Sequence, residues 1–187
     1  MNAASVTAII DFEVYLLMTM KLRMSMANKE AQLEAKLAER GFSIDDGERI
    51  HQRVTEVLAD EASRFENITK LLGIADQESR SLTYSSILWP GFDFNAIASE
   101  DRRLESARYW HTRRDSPSGA FPTELHTWSV DVTEFAEQFG PVTIRGKWPL
   151  FDKILPAYEE YEFSWNGERY GARFIWGLFL SSSIYWD

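Results

Sequence analysis

The chain has 187 residues, 20 Lys and Arg against 29 Asp and Glu, a formal net charge of −9 and no cysteine. Its 44% hydrophobic and 14% aromatic content excludes a disordered polymer, and the acidic balance argues against direct nucleic-acid binding, whose footprint is basic. Without a thiol, cysteine catalysis, cysteine-ligated zinc, iron–sulfur clusters and disulfides are excluded.

The aromatic residues divide the chain. Only Phe12, Tyr15, Phe42 and Phe65 precede residue 84, and all seven Trp lie between Trp89 and Trp186. No Gly-, Ser- or Pro-rich linker separates the two parts, so the expectation is a single α+β domain over 1–187, helix-rich over 27–114 and strand-rich over 120–187.

Every even position from Ile10 to Met26 is apolar, whereas the odd positions include Asp11, Glu13, Thr19, Lys21, Arg23 and Ser25. That alternation predicts a half-buried N-terminal strand, with Met18, Met20, Met24 and Met26 on its core face. Asp11 and Glu13 interrupt the apolar stretch Val6–Met18, and Phe174–Leu180 is too short to span a bilayer, so no membrane association is expected. No basic segment precedes an apolar one in the manner of a leader peptide, which points to the cytoplasm.

Asn28–Arg40 is rich in Ala, Glu, Lys and Leu and ends at Gly41, as a helix does. Ser43 and Asp46 resemble a capping box. Behind them Ile50, Val54, Val57, Leu58, Phe65, Ile68, Leu71 and Leu72 recur at helical spacing, which predicts one long helix near 44–72 ending at Gly73. Asn67-Ile68-Thr69 matches a glycosylation sequon by chance within that pattern. A shorter helix is expected near Gln77–Leu88, before Trp89-Pro90-Gly91. Another is expected from Asn95 or Ser99 to about Arg113, followed by a loop at 115–119.

The C-terminal part reads as an antiparallel sheet of hairpins packed, together with the N-terminal strand, against the helices. Leu125–Val132 is a predicted strand. Asp131 and Glu134 suit the start of a short helix ending at Gly140-Pro141. Val142–Trp148 alternates as a strand. Asn166-Gly167 suits a type I′ turn, which pairs Trp165 with Glu168, Phe163 with Tyr170, Tyr161 with Ala172 and Glu160 with Arg173. Residues 178–186 supply a last strand.

Nucleophile-elbow, phosphate-loop, dinucleotide and zinc-protease motifs are all missing. The three histidines, His51, His111 and His126, are scattered, so no metal and no cofactor are expected. His51 reads as solvent-facing and His126 as partly buried. Arg108, His111, Arg113 and Arg114, beside Tyr109 and Trp110, form a candidate anion-binding group, because guanidinium forks suit phosphate and carboxylate. Glu159, Glu160 and Glu162 are a candidate acidic docking surface, with Arg173 and Arg169 as cross-strand partners. Trp89, Phe92 and Phe94 are candidate aromatic anchors in a recognition loop, or a plug closing the core.

Acidic excess, abundant aromatics and little catalytic hardware favour a non-enzymatic protein that docks on a basic protein partner and blocks or regulates it. Immunity proteins that neutralise toxins, and phage inhibitors of bacterial nucleic-acid-binding defence complexes, share this size and charge class. The alternatives are an enzyme with a site near His111, Arg113 and Arg114, and a subunit of an assembly. Homodimerisation is left open.

Overall fold

Ser5 caps a helix where alternation predicts a strand. The computed structural model describes residues 5–74, 78–112 and 121–185. Its elements divide into two compact units, residues 1–107 and 108–187. Helices accompany two antiparallel sheets, an α+β fold.

In the first unit, α1 (Val6–Thr19) and α2 (Lys21–Met26) replace the expected N-terminal strand. The reason lies in the odd positions. Tyr15 and Leu17 make the run Val14–Met18 apolar at every residue, and Phe12 through Met18 are all buried. A segment buried on several sides carries no single-face periodicity for an alternation count to detect.

Helix α3 (Glu30–Ala38) ends near Gly41, whose φ is 76°. Helix α4 (Ile44–Val57) opens on a reciprocal capping box: Asp46 N–H donates to Ser43 Oγ at 3.1 Å, and Ser43 N–H donates to Asp46 Oδ2 at 2.9 Å. The bond donated by the Ser43 N–H, chief among the causes, holds the Asp46 carboxyl below the usual carboxylate range. Gly47 lets α1 approach, since a Cβ there would lie 2.8 Å from Met18 Sδ.

The expected long helix over 44–72 is broken. α4 stops at Val57, a short 3-10 turn covers Glu61–Ser63, and α5 runs over Arg64–Leu72. Ala59-Asp60-Glu61 offers no large apolar side chain to the stripe. Side chains from α5 satisfy the carbonyls freed by the break. Arg64 Nε donates to Leu58 O at 3.1 Å and Asn67 Nδ2 to Val57 O at 3.0 Å, so the sequon asparagine is a helix cap.

Two further expected helices are strands. β1 (Ser81–Ser85), β2 (Phe92–Ala98) and β3 (Leu104–His111) form a sheet in the order β1-β2-β3. Leu82 and Tyr84, then Phe92, Phe94, Ala96 and Ala98, are buried at every second position. The Ala, Glu and Arg content suggested helix, but packing on a pleated face overrides propensity. Arg102, at φ 63°, turns the chain between β2 and β3.

Glu13 joins α1 to the segment before the Trp89 loop. Its side chain is fully buried and accepts from Ser86 Oγ at 2.6 Å, Ile87 N at 2.7 Å and Leu88 N at 3.1 Å. A buried carboxylate persists when donors replace its water.

The second unit holds a sheet in the order β4 (Thr143–Lys147), β5 (Tyr158–Trp165), β6 (Glu168–Ile175), β7 (Leu178–Ile184). The β5–β6 register is the predicted one, from Trp165↔Glu168 through Phe163↔Tyr170 and Tyr161↔Ala172 to Glu160↔Arg173. Asn166 and Gly167 have φ 50° and 80°, as a type I′ turn requires. A second turn of this kind escaped the sequence reading: Trp176 (φ 53°) and Gly177 (φ 79°) join Ile175 to Leu178.

Helix α6 (Val132–Phe139) packs Phe135 into the sheet, with ring centroids 4.8–5.7 Å from those of Phe139, Phe163, Phe174 and Phe179. The expected strand Leu125–Val132 is instead an irregular cover along β7. Trp128 N–H donates to Phe179 O at 2.7 Å and Phe179 N–H to Val130 O at 3.0 Å, but Trp128 at φ 66° breaks extended geometry.

Two predictions follow from local geometry. Gly167→Ala meets no atom within 4 Å and loses only the cost of left-handed backbone, about 1 kcal/mol. Gly177→Ala places a Cβ 2.9 Å from Tyr109 O, so urea denaturation should show a distinctly larger loss; equal losses refute this account of the second turn. Glu13→Ala strands two amides and a hydroxyl and should cost about 3 kcal/mol, with Glu13→Gln costing less because it keeps an acceptor.

Candidate functional site

The three nominated carboxylates lie on β5, and neighbouring side chains engage each of them. Glu162 sits between Arg145 Nε at 3.0 Å and Arg169 Nε at 2.7 Å. The hydrogen bond from Arg169 holds its carboxyl below the usual range. Glu160 accepts from Tyr158 Oη at 2.7 Å and has Arg173 Nε at 3.6 Å. Glu159 accepts from Tyr161 Oη, and burial pushes the Tyr161 phenol far above its ordinary value.

Glu160 and Glu162 share the outward face of β5, opposite that of Glu159, and the same outward face carries Tyr185, with the Arg145 and Arg169 guanidiniums 5.9 and 5.5 Å from its ring centroid. Gly171 makes room for that ring, because a Cβ there would lie 3.0 Å from Tyr185 Cδ2. A shallow depression of about 280 Å³ beside it is lined by Glu160, Gly171, Arg173, Ser183 and Tyr185, among others.

Of the nominated anion-binding residues, Arg108 and His111 are described, and they engage different partners. Arg108 stacks on Trp110, 4.9 Å from the ring centroid. His111 Nδ1 lies 2.7 Å from Glu134 Oε2, and His111 N–H donates to Asp131 Oδ2 at 2.8 Å. Asp131 and Glu134 form the reciprocal capping box of α6, at 2.8 and 3.0 Å, and both are buried. Their negative charges oppose anion binding at His111. Glu134 does to the imidazole what an orienting carboxylate does in proton transfer: it fixes the ring. The sequence marked Asp131 and Glu134 as a cap, but nothing in the spacing tied them to His111, 20 residues or more away. Arg113, Arg114 and the loop at 115–119 lie outside the described residues.

Trp89, Phe92 and Phe94 are 3%, 5% and 0% exposed. They plug the core of the first unit, where Phe94 packs against Phe12 and Tyr84 at 5.4 and 5.2 Å, so their rings offer no recognition surface. His51 is also not solvent-facing: it stacks on Tyr15 at 5.1 Å and 19°.

Helix α4 holds an acidic feature that its sequence context disguised as helix-start chemistry. Asp45, Glu48 and Glu56 share its exposed side, opposite buried Ile50 and Val54, and exposed Asp60 and Glu61 continue beyond its end. Glu48 pairs with Lys21 at 2.6 Å, whereas Asp45, Glu56, Asp60 and Glu61 make no ion pair among the described residues. Val57, 41% exposed, stands among the last three. Among the described residues, no group of three or more His, Asp or Glu is arranged to hold a metal ion, and no helix is long and apolar enough to cross a membrane.

One titration should be visible. Burial pushes the His51 imidazole below its ordinary 6.5, outweighing the nearby Glu48 charge. The unfolded chain therefore binds this proton more readily than the folded one. The stabilisation is complete above 6.5 and is lost as pH falls through the depressed folded value. Chemical denaturation of wild type and His51→Gln across that range should show a steeper acid-side loss in wild type; parallel curves refute it.

No family model matches this chain, and neither does any curated protein or solved structure.

Proposed function

We propose that the protein is a non-enzymatic acidic binding protein that docks on a basic macromolecular partner and blocks or regulates it, in a cytoplasmic setting. Inhibition of a nucleic-acid-binding defence complex and neutralisation of a toxin are two forms of this activity. The observation that carries the reading is the position of the surplus carboxylates. On the sheet of the second unit, Arg and Tyr partners engage the acids. On α4 and the turn after it, Asp45, Glu56, Asp60 and Glu61 face solvent without a cation among the described residues.

The stripe from Asp45 to Glu56 extends about 17 Å along the helix. The carbonyl end of α4 adds its own negative pole beside Glu56, and no basic residue of α4 occupies its last turn. Acids at that end work against helix stability, which favours a role outside folding. Exposed Val57 within the acidic rim matches the usual anatomy of a docking patch, apolar at its centre and polar around it.

The 2.7 Å contact between His111 and Glu134 favours a second reading, an enzyme using His111 as a carboxylate-oriented proton carrier.

A single experiment separates the two. Immobilised wild type and Asp45→Lys/Glu56→Lys/Glu61→Lys are exposed to cell lysate at low and raised salt, and both are assayed on a small-molecule panel. The binding reading expects a stoichiometric protein partner that wild type retains, that raised salt releases and that the triple variant loses without a change in melting temperature. Partner retention indifferent to both salt and charge reversal overturns the acidic-docking reading. Turnover abolished by His111→Ala, with no partner retained, replaces it with the enzyme.

A further inference from the structure

The turn at the tip of the β5–β6 hairpin exposes two neighbouring groups that can react with each other when the turn opens. Asn166 and Gly167 are both exposed. Gly167 has no side chain, and nothing lies within 4 Å of where its Cβ would be, so the path to its main-chain nitrogen is open. Both residues sit in the two-residue loop between Trp165 and Glu168, outside the pairing ladder. The Asn166 carboxamide makes no hydrogen bond among the described residues.

The other described asparagines lack this combination. Asn67 donates to Val57 O and precedes the buried, β-branched Ile68. Asn95 donates to Thr83 Oγ1 and precedes the buried Ala96 within β2. Asn28, at φ 57°, precedes Lys29, whose nitrogen already donates to Met24 O at 2.7 Å.

We propose that Asn166 is a self-modification site, where deamidation through a cyclic imide acts as a timer on the folded life of the C-terminal hairpin. The Gly167 nitrogen, having given its proton to a base in solvent, attacks Asn166 Cγ and forms a new C–N bond. The Cγ–Nδ2 bond breaks, and ammonia leaves with the proton returned from water. The resulting five-membered imide then takes up one water. Opening at the side-chain carbonyl leaves aspartate. Opening at the main-chain carbonyl leaves isoaspartate, with the chain rerouted through Cγ. The balance is one amide and one water converted to one carboxylate and one ammonium ion, without oxidant or reductant.

Ring closure requires Asn166 to leave its left-handed well, so the rate reports opening of the hairpin tip. Each product adds a negative charge beside Glu168. Isoaspartate also inserts a methylene into a loop whose two residues set the register, and Trp165 and Glu168 cannot both keep their places.

The test is to age the full chain at 37 °C in buffers of rising pH made with oxygen-18 water, then map its peptides by mass spectrometry and label isoaspartate with an isoaspartyl methyltransferase. The expected result is oxygen-18 incorporation and isoaspartate at position 166, faster as pH rises and far ahead of Asn28, Asn67 and Asn95. Asn166→Gly keeps a turn tolerant of positive φ and removes the carboxamide, so it should hold its melting temperature through an ageing period that lowers that of wild type. Modification at 166 no faster than at the other three asparagines overturns the proposal. Modification at 166 with an undiminished melting temperature overturns the timer.

Discussion

Buried carboxylates that bind main-chain amides secure irregular segments in each unit. In the first, Glu13 reaches from the middle of α1 to two successive amides and a hydroxyl at Ser86–Leu88. In the second, Asp131 and Glu134 close on each other's amides, and Asp131 also takes the amide of His111. The amides they bind lie where the chain enters or leaves regular structure, and no ladder or helix would otherwise satisfy them. A buried carboxylate accepts several such bonds at once, and the bonds offset the cost of removing it from water. The segment before the Trp89 plug and the junction of β3 with α6 depend on these clamps.

What was legible in the sequence follows from which signals are local. The hairpin at Asn166-Gly167 was readable residue by residue, because the turn dipeptide, the apolar alternation and the cross-strand charges all lie within one short segment and agree. The capping boxes at Ser43 and Asp131 were readable for the same reason. The N-terminal segment alternates like a strand yet folds as α1, because a helix buried at Phe12 and Val14 as well as Tyr15 and Leu17 has no polar face to set its period. β1 and β3 lie where the sequence predicts helices, and Ala107 in β3, like Ala96 and Ala98 in β2, carries helical propensity. Their small size matters instead for close packing on a sheet, a tertiary fact with no local trace.

The candidate site was less legible than the fold, for a related reason. Of the arginines that engage Glu160 and Glu162, Arg169 and Arg173 follow from the hairpin register, but Arg145 comes from β4, a separate stretch of chain. The contact of His111 with Glu134 likewise spans a separation that no motif encodes. The aromatic cluster at 89–94 was divisible between plug and anchor until burial was known, and burial is a property of the whole unit.

The contrast between the two sets of acids has a geometric origin. On a sheet, strands about 4.8 Å apart bring side chains from neighbouring strands together on one face. An acid there meets whatever stands opposite, and β5 has arginine-bearing strands on both sides. The outer side of a helix has only its own residues three and four positions away as close neighbours. Of the two arginines on that side of α4, Arg49 is held by Asp46 and Arg53 by Asp11, so each is already engaged by an acid outside the stripe. Among the described residues, unpaired acids therefore stand on α4 and the turn beyond it, as they do at exposed Glu34, Glu100 and Glu105. On α4 a helix holds the acids at fixed spacing, and among the described residues Asp45 and Glu56 make no ion pair that would cancel them.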